Sequence, residues 1–273
     1  KISMSQHSTS KKITNTELSA MKTRGEKIAS LTAYDASFAH ILDQAGVEMV
    51  LVGDSLGMVV QGQSSTIPVT IDEMAYHSKM VSRGLERALL VTDMPFMSYP
   101  DPQTAMNNAA ILMQQGYANM VKLEGGQPIL ECVQHIVGQG IPVCGHLGLL
   151  PQSVNQLGGY RVQGKDDAQA KAIIEDAKSL QQAGASAIVV ECIPSSLAKK
   201  LTASVDIPII GIGAGSDCDG QVLVSYDMLD ITAGKRPKFS KNFMLEAGNI
   251  SDAVSAYVQA VKNKEFPADE HAF

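Results

Sequence analysis

No apolar run in this 273-residue chain approaches the ~20 residues that a membrane-spanning helix needs, so no helical membrane protein is expected. Lysine and arginine never cluster beyond pairs such as Lys11-Lys12 and Lys199-Lys200, and the formal net charge is -6. Both observations argue against a nucleic-acid partner. The cysteines are few and far apart: Cys132, Cys144, Cys192 and Cys218, with no C-x-x-C pair. That spacing excludes a zinc framework or a disulfide scaffold and leaves reduced, buried thiols of a cytoplasmic protein as the expectation. The first residues lack the apolar stretch of a signal peptide. Residues 1–13 are polar and are expected to lie outside the fold, as a disordered or expression-derived stretch. No Pro/Gly-rich linker divides the remainder, so 14–273 is expected to be one catalytic domain.

What the sequence does contain is a globular core, 45% hydrophobic and 18% charged. Its apolar runs are short, rich in Val and Ile, and not alternating, which is the pattern of parallel strands buried on both faces. Eight such runs occur, at 28–32, 49–52, 88–92, 120–123, 143–145, 187–190, 209–212 and, weakest, 221–224. Helical spacing of apolar residues falls between several of them, at 38–45, 105–115, 129–137 and 168–182. Glycine follows each stretch as a helix stop, at Gly46, Gly116, Gly138 with Gly140, and Gly184. Eight βα repeats in roughly 200 residues predict an α/β fold of the (β/α)8 (TIM) barrel type. A doubly wound open sheet is the alternative. The barrel is preferred because polar residues end nearly every strand, and a barrel gathers those ends into one ring. A short helix at 14–21 precedes the first strand. The amphipathic tail at 250–262, with Ala253, Tyr257 and Val261 on one face, either closes the barrel bottom or packs on another subunit.

Three of the apolar runs end on a carboxylate: Asp54, Asp93 and Glu124. A buried acid is costly without a partner, and three together suggest a hard cation at the mouth of the fold. Asp54, followed by Ser55, has an equally good reading as a helix or turn cap. At Asp93 the following Met94-Pro95 favours extended backbone, which argues against simple capping. Lys122 and Glu124 are two apart on one strand and so face the same way, into the barrel. They read as an ion pair, or as a substrate-binding ammonium beside a metal-binding acid. His146 ends the fifth strand and Glu191 the sixth; each is a structural residue or a functional one. An all-carboxylate set prefers Mg²⁺, or Mn²⁺ or another divalent ion, over zinc. Because Mg²⁺ takes only one or two protein carboxylates, some of the acids are expected to act through water. The turn Gly211-Ile212-Gly213-Ala214-Gly215 lacks dinucleotide-fingerprint spacing. It marks a close backbone approach, either to a ligand such as a flat cofactor ring or to neighbouring protein.

These segments together resemble the ketopantoate hydroxymethyltransferase family across nearly the whole chain. The landmarks are Leu51-Val52-Gly53-Asp54-Ser55-Leu56-Gly57-Met58, Asp93-Met94-Pro95-Phe96-Met97, Val121-Lys122-Leu123-Glu124-Gly125-Gly126, Cys144-Gly145-His146-Leu147-Gly148-Leu149, Pro151-Gln152-Ser153 and Gly158-Gly159-Tyr160. The resemblance implies a (β/α)8 barrel with Mg²⁺ that transfers a hydroxymethyl group from 5,10-methylenetetrahydrofolate to 3-methyl-2-oxobutanoate, giving 2-dehydropantoate. It puts Asp54, Asp93 and Glu124 at metal positions. Asp54, Ser55, Asp93 and Lys122 fall at keto-acid positions, with His146 a further candidate there, and Glu191 falls at the position of the general base. It also implies self-association, commonly as a homodecamer. Other readings of the residues are a Schiff-base aldolase with Lys122 as nucleophile, a Mg²⁺-dependent C–C lyase or aldolase of the isocitrate-lyase type, and a non-catalytic binding barrel. Cys144-Gly145-His146 superficially resembles the catalytic loop of the lyases.

Overall fold

The computed structural model describes residues 11–232 and 234–273. Eight parallel strands close into a barrel in sequence order: β1 (Ile28–Thr32), β2 (Met49–Val52), β3 (Leu89–Asp93), β4 (Met120–Glu124), β5 (Val143–Gly148), β6 (Ala187–Glu191), β7 (Ile209–Ile212) and β8 (Gly220–Leu223). β8 pairs back onto β1, with Ile28 opposite Gly220 and Leu31 opposite Leu223. Nearly every strand residue is buried, because side chains on one face fill the barrel and those on the other meet the helices. The (β/α)8 expectation holds, and every expected strand is present to within a few residues. Residues 1–10, part of the stretch expected outside the fold, lie outside the described residues. Ile13 is anchored, its amide donating to Arg87 O at 2.8 Å.

The glycine stops behave as helix terminators. Gly46, Gly140 and Gly184 all take positive φ just after a helix, a conformation that costs glycine nothing. Of the helices longer than one turn, Ile71–Ser82 and Ser195–Ala203 have no counterpart in the sequence reading. The buried face of the first mixes Met74 and Val81 with Ala75 and the polar Ser78. Ser78 is satisfied there by Thr92 Oγ1 at 2.7 Å and Gly116 O at 2.8 Å.

The helix Asn15–Arg24 lies across the N-terminal ends of the strands. Lys22 reaches Thr202 O, Ile207 O and the Asp219 carboxylate there. The tail helix Ile250–Lys262 does not plug that end. It packs along the outside of β1, and Tyr257 Oη donates to Ser30 O and Gln221 O, both at 2.9 Å, across the seam between β1 and β8. Tyr257→Phe is expected to destabilise the protein by about 1–3 kcal/mol, since it strips a partner from two buried carbonyls without changing volume. A urea titration measures this, and an unchanged midpoint would refute the seam contact.

Candidate active site

Strand register assembles the site. Asp93 on β3 lies opposite Lys122 on β4, and Glu124 lies opposite His146 on β5. Gly148 on β5 lies opposite Glu191 on β6. Asp54 and Ser55 follow β2 directly. All the singled-out residues thus meet at the C-terminal end of the barrel, where (β/α)8 enzymes place their chemistry. Asp54, Asp93, Lys122, Glu124 and His146 are buried in the barrel mouth. They line a cavity of about 530 Å³. Its strand-borne wall divides into two arcs: the ionisable residues come from the ends of β2 to β6, while Ile212, Val222 and Leu223 of β7 and β8, with Val189 below Glu191, give an apolar side.

Lys122 is the hub. Its Nζ lies 3.0 Å from Asp93 Oδ1, a close charge contact without hydrogen-bond alignment. It also lies 3.1 Å from His146 Nδ1. Burial opposes its charge, but the Asp93, Glu124 and Asp54 carboxylates prevail and raise its pKa, so it stays an ammonium. Burial, and then this ammonium, hold the imidazole of His146 well below the usual histidine range. A neutral imidazole that accepts at Nδ1 must carry its proton on Nε2. That Nε2 faces Glu191 Oε2 at 3.2 Å, again short of hydrogen-bond alignment. The Glu191 carboxyl is pushed up to about 7 by burial, partly offset by Lys122.

Asp54 is pushed up to about 7 by burial and by the Asp93 charge; Glu124 is raised well above the carboxylate range by burial and by Asp54. The residue that organises these two is Gln152, to which the sequence reading assigned no role. Its Nε2 donates to Asp54 Oδ2 at 2.8 Å and to Met94 O at 2.9 Å, and its backbone N–H donates to Glu124 Oε2 at 3.0 Å. Its Oε1 in turn accepts from Tyr99 Oη. Tyr34 Oη similarly meets Ser55 Oγ at 2.9 Å. The Pro151-Gln152-Ser153 motif carries no charge to mark it, which is why only geometry discloses the role.

Asp54, Asp93, Glu124 and Glu191 place four acids against one ammonium. Among the described residues no three His, Cys, Asp or Glu side chains converge tightly enough to hold a metal by themselves. The set still fits a hard divalent cation: its donors are oxygens, Asp93 Oδ1 is buried without a hydrogen bond, and the raised Asp54 and Glu124 report uncompensated negative charge.

The glycine-rich turn packs against the protein itself. A Cβ on Gly213 would sit 3.1 Å from the rings of both Phe239 and Phe273, and one on Gly215 would meet the Ser195 side chain at 2.6 Å. The ligand-ring reading of this turn is therefore replaced by close packing. Cys144-Gly145-His146 lies within β5, and burial pushes the Cys144 thiol up to about 12, so the triplet is no catalytic loop. The raised Lys122 pKa is the opposite of what a Schiff-base nucleophile needs.

A closed parallel barrel with ionisable groups gathered at its C-terminal mouth defines a (β/α)8-barrel enzyme. Crystal structures of phosphonopyruvate hydrolase in complex with oxalate and Mg²⁺ (TM-score 0.59, 10% identity, 77% of this chain and 80% of that one) and of 2,3-dimethylmalate lyase (0.57, 14%, 78% of each), described as a PEP mutase/isocitrate lyase superfamily member, share this fold. Residues 12–269 match the ketopantoate hydroxymethyltransferase family, and the chain belongs to it. Curated relatives called 3-methyl-2-oxobutanoate hydroxymethyltransferase include those of Nitrosococcus oceani, 57% identical, and Shewanella frigidimarina, 56% identical. Each match covers 96% of this chain and 99% of the relative.

Proposed function

We propose that the protein transfers a hydroxymethyl group from 5,10-methylenetetrahydrofolate to 3-methyl-2-oxobutanoate, giving 2-dehydropantoate for pantothenate biosynthesis. The observation that carries this reading is Glu191, an acid poised near neutrality beside a protonated imidazole nitrogen over a cationic and carboxylate floor. A general base works best with a pKa near the working pH. Glu191 removes the C3 proton of the keto acid, leaving an enolate. His146 Nε2–H, 3.2 Å from Glu191 Oε2, steadies the carboxylate electrostatically. Lys122 donates one proton to His146 Nδ1 and lies in charge contact with Asp93, which leaves an N–H to meet the substrate carboxylate. Ser55, Asp54 and Asp93 bound the keto-acid end of the cavity. Asp54, Asp93 and Glu124 are the residues that would hold Mg²⁺ or a similar divalent ion. When bound, the ion supplies positive charge where the 2-oxo oxygen gains electron density. Overall, C3 bonds to the methylene carbon, both bonds from that carbon to N5 and N10 of the carrier break, and water supplies the hydroxyl oxygen; the two nitrogens take up the proton lost from C3 and the second proton of the water, so tetrahydrofolate leaves.

Formation of 2-dehydropantoate from the two substrates tests the transfer. Exhaustive EDTA treatment is expected to abolish it, and Mg²⁺ or Mn²⁺ to restore it; full activity after chelation would remove the ion from the reading. Self-association, as a decamer, belongs to the same reading and draws support from exposed Tyr76, Tyr117 and Leu245. Sedimentation velocity checks it. A cytoplasmic setting is supported by four unpaired buried cysteines. No helix among the described residues is long and apolar enough to cross a membrane.

A further inference from the structure

The cavity is larger than its floor requires. Its volume of about 530 Å³ falls in the range of roughly 300–1,000 Å³ that holds drug-sized ligands, whereas the acid-lysine cluster serves a five-carbon acid. The outer part has a different chemistry. Apart from that cluster with its histidine, the charged side chains lining the cavity are Arg161, Lys235 and Lys238, and all are cationic. This happens on a chain whose net charge is -6. Two separate loops supply them: Arg161 follows β5, and both lysines follow β8.

Local pairing does not account for Arg161 and Lys235. Among the described residues neither makes a salt bridge. The intervening Arg236, by contrast, is held by Asp230 Oδ1 at 2.7 Å. Lys238 donates to Ala272 O and stands 4.8 Å over the Phe273 ring. The rings of Phe239 and Phe273 line the same cavity and fit beside Gly213 because it has no side chain. In order of increasing exposure the cavity presents buried carboxylates with one ammonium, then the half-buried Phe239 ring, then Phe273 with the three exposed cations. An elongated ligand with a reacting carbon at one end, a flat aryl middle and an anionic tail matches that order.

We propose that Arg161, Lys235 and Lys238 form the anion-binding half of the subsite for the one-carbon carrier and take the glutamyl carboxylates of its tail, with the aryl part of the carrier against Phe239 and Phe273. The proposal rests on the folate reading above and goes further, by assigning residues to the tail and by making affinity depend on tail length. Rim pairs of this kind are exposed and modest. Each is worth about 1.4-fold to fivefold in affinity and weakens with salt.

Calorimetry on the intact protein with three probes tests this: tetrahydropteroate, which lacks glutamate, tetrahydrofolate with one glutamate, and tetrahydrofolate with three. Affinity is expected to rise in that order, by about tenfold overall at low salt, and the gain is expected to shrink in 0.5 M NaCl. In the double variant Arg161→Gln/Lys235→Gln the gain from added glutamates should collapse, while tetrahydropteroate still binds within twofold of wild type. The variant spares Lys238, which also anchors the chain at Ala272, and tetrahydropteroate binding reports that its site is folded. Equal affinity for all three probes in wild type, or an undiminished gain in the variant, would overturn the rim assignment and leave the folate reading standing. Failure of every probe to bind wild type that still binds the keto acid would overturn both.

Discussion

Glu191→Gln is expected to lower the exchange of the C3 proton of 3-methyl-2-oxobutanoate into deuterated water by about 10²–10⁴-fold, with no folate present. The substitution keeps the side chain's size and removes its basicity. Because the Glu191 carboxyl is pushed up to about 7 by burial, wild-type exchange should rise as pH climbs through about 7 and level off above it, where the carboxylate dominates. Proton NMR of the substrate follows the exchange directly. Wild-type rates in the variant would mean that another group is the base. The folate-free format isolates proton abstraction from the later carbon–carbon step.

Lys122→Met is expected to produce the second large effect, and to do so in two measurements. Lys122 is buried and, among the described residues, is the one cation in contact with these acids. Methionine fills its volume but leaves the carboxylates without a counter-charge. Removing one partner of a buried ionic set costs about 3–5 kcal/mol. The sign of the pH dependence follows from the acids. Asp54, Glu124 and Glu191 already have raised values, and Lys122 acts to lower each. Without it their folded-state values rise further. The instability of the variant should therefore be greatest above pH 7 and shrink as pH falls and the acids protonate. In deuterium exchange the same loss should move the acid limb of the profile above pH 7 and weaken keto-acid binding. A variant as stable as wild type at pH 8, with the limb unmoved, would deny Lys122 its place as the hub.

The barrel was legible because each strand is a short, largely apolar run and glycines stop several of the helices between them. The individual site residues were legible because a charge at the end of such a run has few harmless explanations. Lys122 and Glu124 could even be assigned a common direction from their spacing. The contacts among them were not legible, since they come from register between neighbouring strands: Asp93 against Lys122, Glu124 against His146. Gln152 escaped because it is uncharged and works partly through its backbone N–H. The helix Ile71–Ser82 escaped because its buried face interrupts Met74 and Val81 with Ala75 and the polar Ser78. The glycine-rich turn stayed open between a ligand and neighbouring protein for a related reason. The rings that fill the space at Gly213 belong to Phe239 and Phe273, distant in sequence and brought there only by the closed fold.

The two arcs of the cavity wall bear on selectivity among 2-oxo acids. If the proposed keto acid turns its oxygen atoms to the ionisable side on β2 to β6, its hydrocarbon branch is left to Val189, Ile212, Val222 and Leu223. Such a surface gauges a branch by fit and carries no directional contact to lose. It rejects an overlong branch by collision. A branch one methylene too short forfeits only about 1–3 kcal/mol. Smaller 2-oxo acids are thus turned away by a modest factor, and fidelity toward them leans on how scarce they are beside the intended substrate.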